Sequence, residues 1–181
     1  MRILVLGAHP DDPESGCGGT MARHAQAGDE VWATYLTRGG RGAPGHDPQQ
    51  VERIRTQEAQ AACHILGVEP LFFDFPDGGL EVSSATVKAM QALLANHSLD
   101  LLLAHWPLDT HPDHQAAGVL ALRSWLAAGC TFPLHFYEVL TGQQTLHFVP
   151  NFYVDITQTT QIKHQAVMAH ASQHPERWYP H

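Results

Sequence analysis

The stretch RILVLGAHPDD, residues 2–12, decides the fold of this chain. Its first part is a short and almost wholly apolar run, which predicts a buried β-strand. One imidazole, on His9, and two carboxylates, on Asp11 and Asp12, follow that strand directly. Because such groups are costly to bury at the end of a central strand, this cluster is a candidate functional site.

A similar pattern returns about a hundred residues later. The run LDLLLA at 99–104 predicts another buried strand, and the stretch DTHPDH at 109–114 comes after it. Two clusters of His and Asp at strand ends, each containing a proline, predict the two halves of one metal site.

Predicted strands and helices alternate along the chain. Alternating βα units predict a single domain of the α/β class over residues 1–181, with a parallel or mostly parallel sheet and helices on both faces. We predict strands at 2–7, 30–37, 71–75, 99–105 and 134–140, with one more at 152–156, and helices at 16–27, 48–66, 83–97, 114–128 and 157–169.

The unusual residues all follow predicted strands. Parallel strands end at the same edge of a sheet, where such folds bind ligands. We therefore expect the two His and Asp clusters, the glycine-rich loop at 38–45 and Asp77 to lie at that edge. The clusters face each other if the first and fourth strands are neighbours.

Composition limits the classes of protein. The chain has 181 residues, of which 44% are apolar and 15% charged, and this is typical of one globular domain. A net charge of -8 gives no support for a nucleic-acid or anionic-membrane partner. Three scattered cysteines do not predict a disulfide framework, and no apolar run approaches the ~20 residues needed to span a bilayer. We expect a cytoplasmic protein.

The chemistry of the clusters suits hydrolysis. A catalytic zinc site needs three protein ligands and one open position, which two imidazoles and one carboxylate can provide. Adjacent Asp11 and Asp12 can divide the work, one as metal ligand and one as general base. Of His111 and His114, one can bind metal while the other, protonated, stabilises an oxyanion or protonates a leaving group. Zinc and iron(II) both suit such ligands.

Several motifs resemble those of the PIG-L/LmbE-like zinc-dependent N-deacetylases. They are AHPDD at 8–12 with GCGGT at 16–20, RTQE at 55–58 and DTHPDH at 109–114. Glu14 stands at the place that it has in the bacillithiol-pathway branch of N-acetylglucosaminyl deacetylases. The resemblance covers nearly the whole chain. It implies a Rossmann-like fold and a hydrolase that removes acetyl from an N-acetylglucosamine-type amide.

The resemblance also implies a set of metal ligands and a general base. The implied ligands are His9, Asp12 and His114, and the ion is Zn²⁺, with Fe²⁺ or another divalent ion as the alternative. Asp11 would act as general base while a zinc-bound hydroxide attacks the acetyl carbonyl. The substrate would be a small N-acetylated amino-sugar conjugate, and a homo-oligomer is compatible with the resemblance.

Further residues are expected around these ligands. By the resemblance, His111 would polarise the tetrahedral intermediate, Asp113 would tune the charge of His111, and Arg55 would help to hold the substrate. We add Asp77 and Glu14 as candidate substrate-binding residues. Arg55 also fits a solvated ion pair on a charged helix face, and Asp77 also fits a simple turn residue.

Two other functions remain open from the sequence. A metal-dependent phosphoesterase could use the same sheet edge, but it would need a second metal and more basic residues. A non-catalytic, metal-binding Rossmann-like module would have a closed site with four protein ligands.

Overall fold

The sheet places the two clusters side by side. The computed structural model of the protein describes residues 1–139 and 142–179. Five parallel strands form one sheet in the order β3-β2-β1-β4-β5. This confirms the predicted α/β class. The strands are β1 (Arg2–Gly7), β2 (Glu30–Thr37), β3 (Glu69–Phe75), β4 (Leu101–His105) and β5 (Leu134–Tyr137).

Helices cover both faces of the sheet. Helices α1, α2 and α5 pack together on one face, and α3 and α4 pack together on the other. Two 3-10 helices, Ala171–Gln173 and Pro175–Arg177, follow α5. The helices are α1 (Asp12–Gln26), α2 (Pro48–Leu66), α3 (Ser84–His97), α4 (Pro112–Ala127) and α5 (Thr160–Met168).

The central strand β1 explains the apolar run that opens the chain. Side chains of a strand alternate between its two faces. Ile3 and Val5 pack into the apolar layer under α1, α2 and α5, whereas Leu4 and Leu6 pack into the layer under α3 and α4. A strand buried on both faces needs apolar residues at successive positions.

The neighbours of β1 position the site. Ile3 pairs with Leu101, and Leu6 pairs with Ala104, so β1 and β4 are adjacent and parallel. This confirms the condition under which the two clusters face each other. None of the described helices is both long enough and apolar enough to cross a membrane.

Several predicted bounds differ from those observed. Helix α1 begins at Asp12, four residues before the predicted start, because β1 passes into the helix through a very short turn with Pro13 in the first helical turn. Similarly, α4 begins at Pro112. The last helix has Thr159 as its N-cap rather than Thr157, whose backbone N–H and hydroxyl instead donate to Asp155 Oδ1.

The strand predicted at 152–156 is wrong. These residues form no regular element, and Phe152 and Tyr153 are 65% and 77% exposed. Their aromatic content suggested a strand, but no sheet face buries it. The strand predicted to end at Leu140 ends at Tyr137, and Leu140 itself lies outside the described residues.

Candidate metal centre and active site

A cavity opens at the carboxyl edge of the sheet, between the turns that follow β1 and β4. Its volume is about 600 Å³, which is within the usual range for small-molecule sites. Seven of the nine residues that the sequence singled out line it: His9, Asp11, Asp12, Arg55, Asp77, His111 and His114. The remaining two, Glu14 and Asp113, lie behind the lining.

Three side chains converge on one point of the cavity floor. His114 Nε2 lies 3.3 Å from His9 Nδ1 and 3.4 Å from Asp12 Oδ1, and His9 Nδ1 lies 3.4 Å from Asp12 Oδ2. Zinc bonds of 2.0–2.1 Å in a tetrahedron give distances between ligands of about 3.3–3.4 Å. The two histidines contact different oxygens of the Asp12 carboxylate, and two imidazoles and a carboxylate this close together suit a divalent transition metal.

Other groups of donors overlap this set. Donor atoms are also close together in His9–His111–His114, Asp12–His105–His114 and His9–Asp77–Asp113. In the last group the carboxylates already accept backbone N–H groups. The Gly78 N–H donates to Asp113 Oδ2 at 2.7 Å, and the Arg41 N–H donates to Asp77 Oδ2 at 2.6 Å. This group is therefore better suited to orienting His9 than to holding an ion.

Two carboxylates back the His9 ring. His9 Nε2 lies 3.1 Å from Asp113 Oδ2 and 3.2 Å from Asp77 Oδ1, which leaves Nδ1 facing the cavity floor. Burial lowers the pKa of His9, but hydrogen bonds to Asp113, Asp12 and Asp77 outweigh burial and hold that pKa well above its usual value. Carboxylates in this position fix the orientation of a metal-binding imidazole.

Asp113 has closer partners than the one we expected, although its charge also raises the pKa of His111. The sequence suggested that it tunes the charge of His111, but its carboxylate contacts the His9 ring and the backbone N–H groups of Gly78 and Leu80. Although burial raises the pKa of Asp113, these hydrogen bonds lower it to about 2, so the group is ionised at neutral pH. Asp77 is likewise more than a turn residue, since it contacts His9 and lines the cavity.

His114 is backed in a similar way. Its Nδ1 lies 3.3 Å from Asp109 Oδ2 and 3.0 Å from Gln144 Nε2, on the side of the ring away from His9. Burial lowers the pKa of His114, but the charge of Asp12 and hydrogen bonds to Asp109 and Asp12 raise it to about 9. Asp109 was not among the predicted site residues, although it opens the DTHPDH stretch and was visible there.

His105 is the other residue that the sequence analysis missed. It ends β4, its side chain is almost fully buried, and its Nε2 lies 3.1 Å from Asp12 Oδ2. A histidine closing a buried apolar strand, beside a predicted metal site, was the available signal.

Asp11 occupies an unusual backbone conformation. Its φ of 115° lies where residues with a side chain are rare, at a cost of about 1–3 kcal/mol, and such positions cluster at active sites. Burial raises the pKa of Asp11, while Arg55 opposes that rise with its Nη2 atom 3.2 Å from Asp11 Oδ2. A carboxylate that is not needed as ligand and has a raised pKa suits a general base.

Arg55 is buried rather than solvated, with 4% of its surface exposed. Besides pairing with Asp11, its guanidinium donates to the carbonyl oxygens of Gly39 and Pro10. The alternative prediction, a solvent-exposed ion pair of Arg55 on the helix face, is therefore wrong. Its bonds tie the glycine-rich loop to the strained turn that carries Asp11.

His111 is the N-cap of α4. Its Nδ1 accepts the Asp113 N–H at 3.2 Å, so the proton of a neutral ring is on Nε2. Burial lowers the pKa of His111, and the charges of His9 and His114 lower it further. This favours a neutral N–H donor over the protonated imidazole that we expected.

Glu14 lies outside the cavity. Its side chain is fully buried, accepts a hydrogen bond from the Tyr35 hydroxyl, and lies 3.5 Å from His170 Nε2. A substrate contact is therefore not supported for Glu14. Because α1 begins at Asp12, Glu14 projects toward the protein interior.

The chain is similar in sequence and fold to several known proteins. Diacetylchitobiose deacetylase from Thermococcus kodakarensis is 29% identical over 190 residues, covering 97% of this chain and 71% of that protein. The structure of N,N'-diacetylchitobiose deacetylase from Pyrococcus horikoshii, complexed with its inhibitor MPG, is 26% identical with a TM-score of 0.83. It covers 98% of this chain and 72% of its own. The structure of GalB, the 4-carboxy-2-hydroxymuconate hydratase from Pseudomonas putida KT2440, is 26% identical with a TM-score of 0.85. The match covers 96% of this chain and 80% of the GalB chain.

A family model decides the classification. The PIG-L model, described as GlcNAc-PI de-N-acetylase, matches residues 4–125, which include both strand-end clusters and more than half of the chain. The chain therefore belongs to the GlcNAc-PI de-N-acetylase (PIG-L) family.

Proposed function

We propose that this protein is a metal-dependent N-deacetylase that hydrolyses the acetamido group of an N-acetylglucosamine-type sugar. One observation carries the proposal. On the floor of the cavity, beside the carboxylate of Asp11, His114 Nε2 lies 3.3 Å from His9 Nδ1 and 3.4 Å from Asp12 Oδ1. Deacetylases among the relatives support the same reaction and substrate class.

Three residues would hold the ion. His9 through Nδ1, His114 through Nε2 and Asp12 through Oδ1 offer the donors that zinc and iron(II) accept. The backbone N–H of His9 already donates to Asp12 Oδ2 at 2.7 Å, which leaves Oδ1 for the ion. When bound, a divalent ion polarises the acetyl carbonyl and lowers the pKa of a water molecule.

Asp11 and His111 would perform the proton chemistry. As the water oxygen bonds to the acetyl carbon, Asp11 accepts the proton of that water. The Nε2–H of His111 donates to the carbonyl oxygen as negative charge builds on it. When the C–N bond breaks, Asp11 returns its proton to the amine nitrogen, and acetate and the free amino sugar are the products.

Two features separate this function from the alternatives. A phosphoesterase would need a second metal and several free basic residues, but of the two arginines among the described residues that line the cavity, Arg55 is committed to Asp11 and two backbone carbonyls, which leaves Arg41. A closed structural site would need a fourth protein ligand. His111 lies beside His9 and His114, but its Nδ1 caps α4, and we assign its Nε2–H the role of hydrogen-bond donor to the substrate.

A hydratase is the second candidate, because GalB has the same fold and a related sequence. Addition of water to a double bond also needs an activated water and a base. The two reactions differ in product, since only deacetylation releases acetate and a primary amine.

The experiment is a substrate panel on zinc-loaded and iron(II)-loaded protein. We expect acetate release from N-acetylglucosamine, N,N'-diacetylchitobiose or an N-acetylglucosamine conjugate, and none from the Asp11→Asn variant. Hydration of 4-carboxy-2-hydroxymuconate without acetate release from any sugar would favour the hydratase. Tight metal binding with neither activity would favour the non-catalytic module.

The compartment stays a prediction. The buried thiols of Cys17 and Cys63 are free, which fits the reducing cytoplasm that we expect.

A further inference from the structure

The buried imidazole of His105 has no role in the chemistry described so far. It closes β4, only 1% of its surface is exposed, and it does not belong to the described residues that line the cavity. An imidazole in such surroundings is costly unless its ring nitrogens find partners. Its neighbours therefore indicate what it does.

The first neighbour is the carboxylate of Asp12. His105 Nε2 lies 3.1 Å from Asp12 Oδ2, and the backbone N–H of Ala8 points at the same nitrogen at 3.1 Å. Nε2 can accept from Ala8 or donate to Asp12, but not both. An ionised carboxylate only accepts hydrogen bonds, so we assign the proton to Nε2, and in that tautomer the Ala8 N–H does not bond to the ring. Asp12 Oδ2 then accepts two hydrogen bonds, from the His105 ring and from the backbone N–H of His9, while Oδ1 lies toward His114 Nε2.

The second neighbour is the ring of His114. The rings of His105 and His114 stack with their centroids 4.3 Å apart and their planes 14° from parallel. The backbone below them is also fixed. Helix α4 approaches β4 so closely that a Cβ on Gly118 would lie 2.6 Å from the His105 carbonyl oxygen. His105 thus contacts ligand residues from both strand ends.

We propose that His105 is a positioning residue that holds Asp12 by its Oδ2 atom, so that Oδ1 is presented to the metal. The inference rests on the metal centre of the proposed function. It adds that the carboxylate ligand is oriented by a histidine, whereas the two histidine ligands are oriented by carboxylates.

Being a ligand is the competing role for His105, because Asp12, His105 and His114 have donor atoms close together. Its burial behind the cavity lining and the position of its Nε2 against Oδ2 favour the positioning role. Substitutions can separate the two roles. Phenylalanine keeps a ring for the stack and removes the N–H, whereas glutamine keeps an N–H donor and removes the ring.

The test compares His105→Phe and His105→Gln with the unmodified protein. Zinc affinity is measured by competition with a chromophoric chelator, and the visible spectrum of the cobalt(II) form reports the geometry of the ligands. We expect His105→Phe to raise the zinc Kd about 10- to 100-fold and to alter the cobalt spectrum, as loss of an orienting partner does. His105→Gln should bind zinc nearly as well as the unmodified protein. Thermal unfolding of the metal-free variants checks that they fold, and His105→Leu replaces His105→Phe if the latter does not.

Other outcomes overturn the inference. Unchanged affinity in His105→Phe would remove the hydrogen bond from the metal centre. Equal and large losses in both variants would make His105 a ligand, and a loss in His105→Gln alone would leave only the ring stack. If the unmodified protein binds no metal, the proposed function itself fails.

Discussion

The two turns that build the site are made in opposite ways. The β1–α1 turn is short and strained: Asp11, with φ 115°, precedes the helix, and its side chain makes no capping bond. The β4–α4 loop runs over 106–111 and ends in an ordinary N-cap, where His111 has a φ of -90° and bonds to the Asp113 N–H. Of these two turns, the strained one is the turn that carries the proposed base.

The difference shows how each turn keeps its groups in place. Hydrogen bonds within the second turn hold it in place. One of them runs from the backbone N–H of His111 to the Asp109 carboxylate at 2.8 Å. The first turn depends on a residue from another element, Arg55 of α2, which contacts Asp11 and the Pro10 carbonyl. A strained conformation persists only where its surroundings impose it.

The largest expected effect falls equally on both turns, because each supplies a ligand. Asp12→Asn, in the first turn, and His114→Ala, in the second, should each weaken zinc binding more than 100-fold, beyond the ~10- to 100-fold range of an orienting residue. Elemental analysis and chelator competition measure this. Retention of a stoichiometric ion by either variant would exclude that residue as ligand.

Substitutions of Asp11, in the first turn, test both its proposed role as general base and the backbone strain at its position. Asp11→Asn should keep its metal and lose about 10²–10⁴ in turnover, the range for a general base. Asp11→Ala should be less stable than Asp11→Gly by about 1–2 kcal/mol, because only glycine accepts a positive φ without a steric penalty. Denaturant unfolding of the metal-free proteins compares the pair, and equal stabilities would show that the turn is unstrained.

Variants of His111 can separate its role in catalysis from its role as the N-cap of α4. Both His111→Ala and His111→Ser remove the donor to the oxyanion and should lower turnover about 10²–10³-fold with little change in zinc affinity. Serine restores the N-cap, so only His111→Ala should also lose about 1 kcal/mol of stability. Normal turnover in either variant would remove His111 from the mechanism.

The smallest effect is expected at the carboxylates behind the histidines. Asp109→Asn and Asp113→Asn should each weaken zinc binding about 10- to 100-fold, because neutral amides orient the imidazoles less well. Isothermal titration with zinc measures the change. If Asp113→Asn slows turnover without changing zinc affinity, and Asp109→Asn does not, Asp113 acts on His111, as the sequence first suggested.

Local pattern was sufficient for much of the fold and for the place of the two His and Asp clusters. Helix α2 begins and ends where proline and glycine predicted, and the apolar run at 2–7 is the central strand. Both His and Asp clusters lie on the cavity, since the strand ends meet at one edge.

The errors arose where side-chain direction or distant packing decides. The partner of Asp113 depends on how α4 sits against the turn at Gly78, which the sequence does not show. Likewise, His105 lies 93 residues from Asp12 and meets it only through the pairing of β1 with β4. Glu14 was misplaced because the phase of α1 depends on where that helix begins.

The tight turn between β1 and α1, at residues 8–11, also bears on how this protein can vary over evolutionary time. A Cβ on Gly7 would lie 2.6 Å from the Pro13 ring, and one inserted residue would rotate α1 by about 100° relative to β1. Insertions and deletions are therefore expected to be purged from residues 7–13. In homologous lineages, differences of length should accumulate in the loop at 106–110 instead.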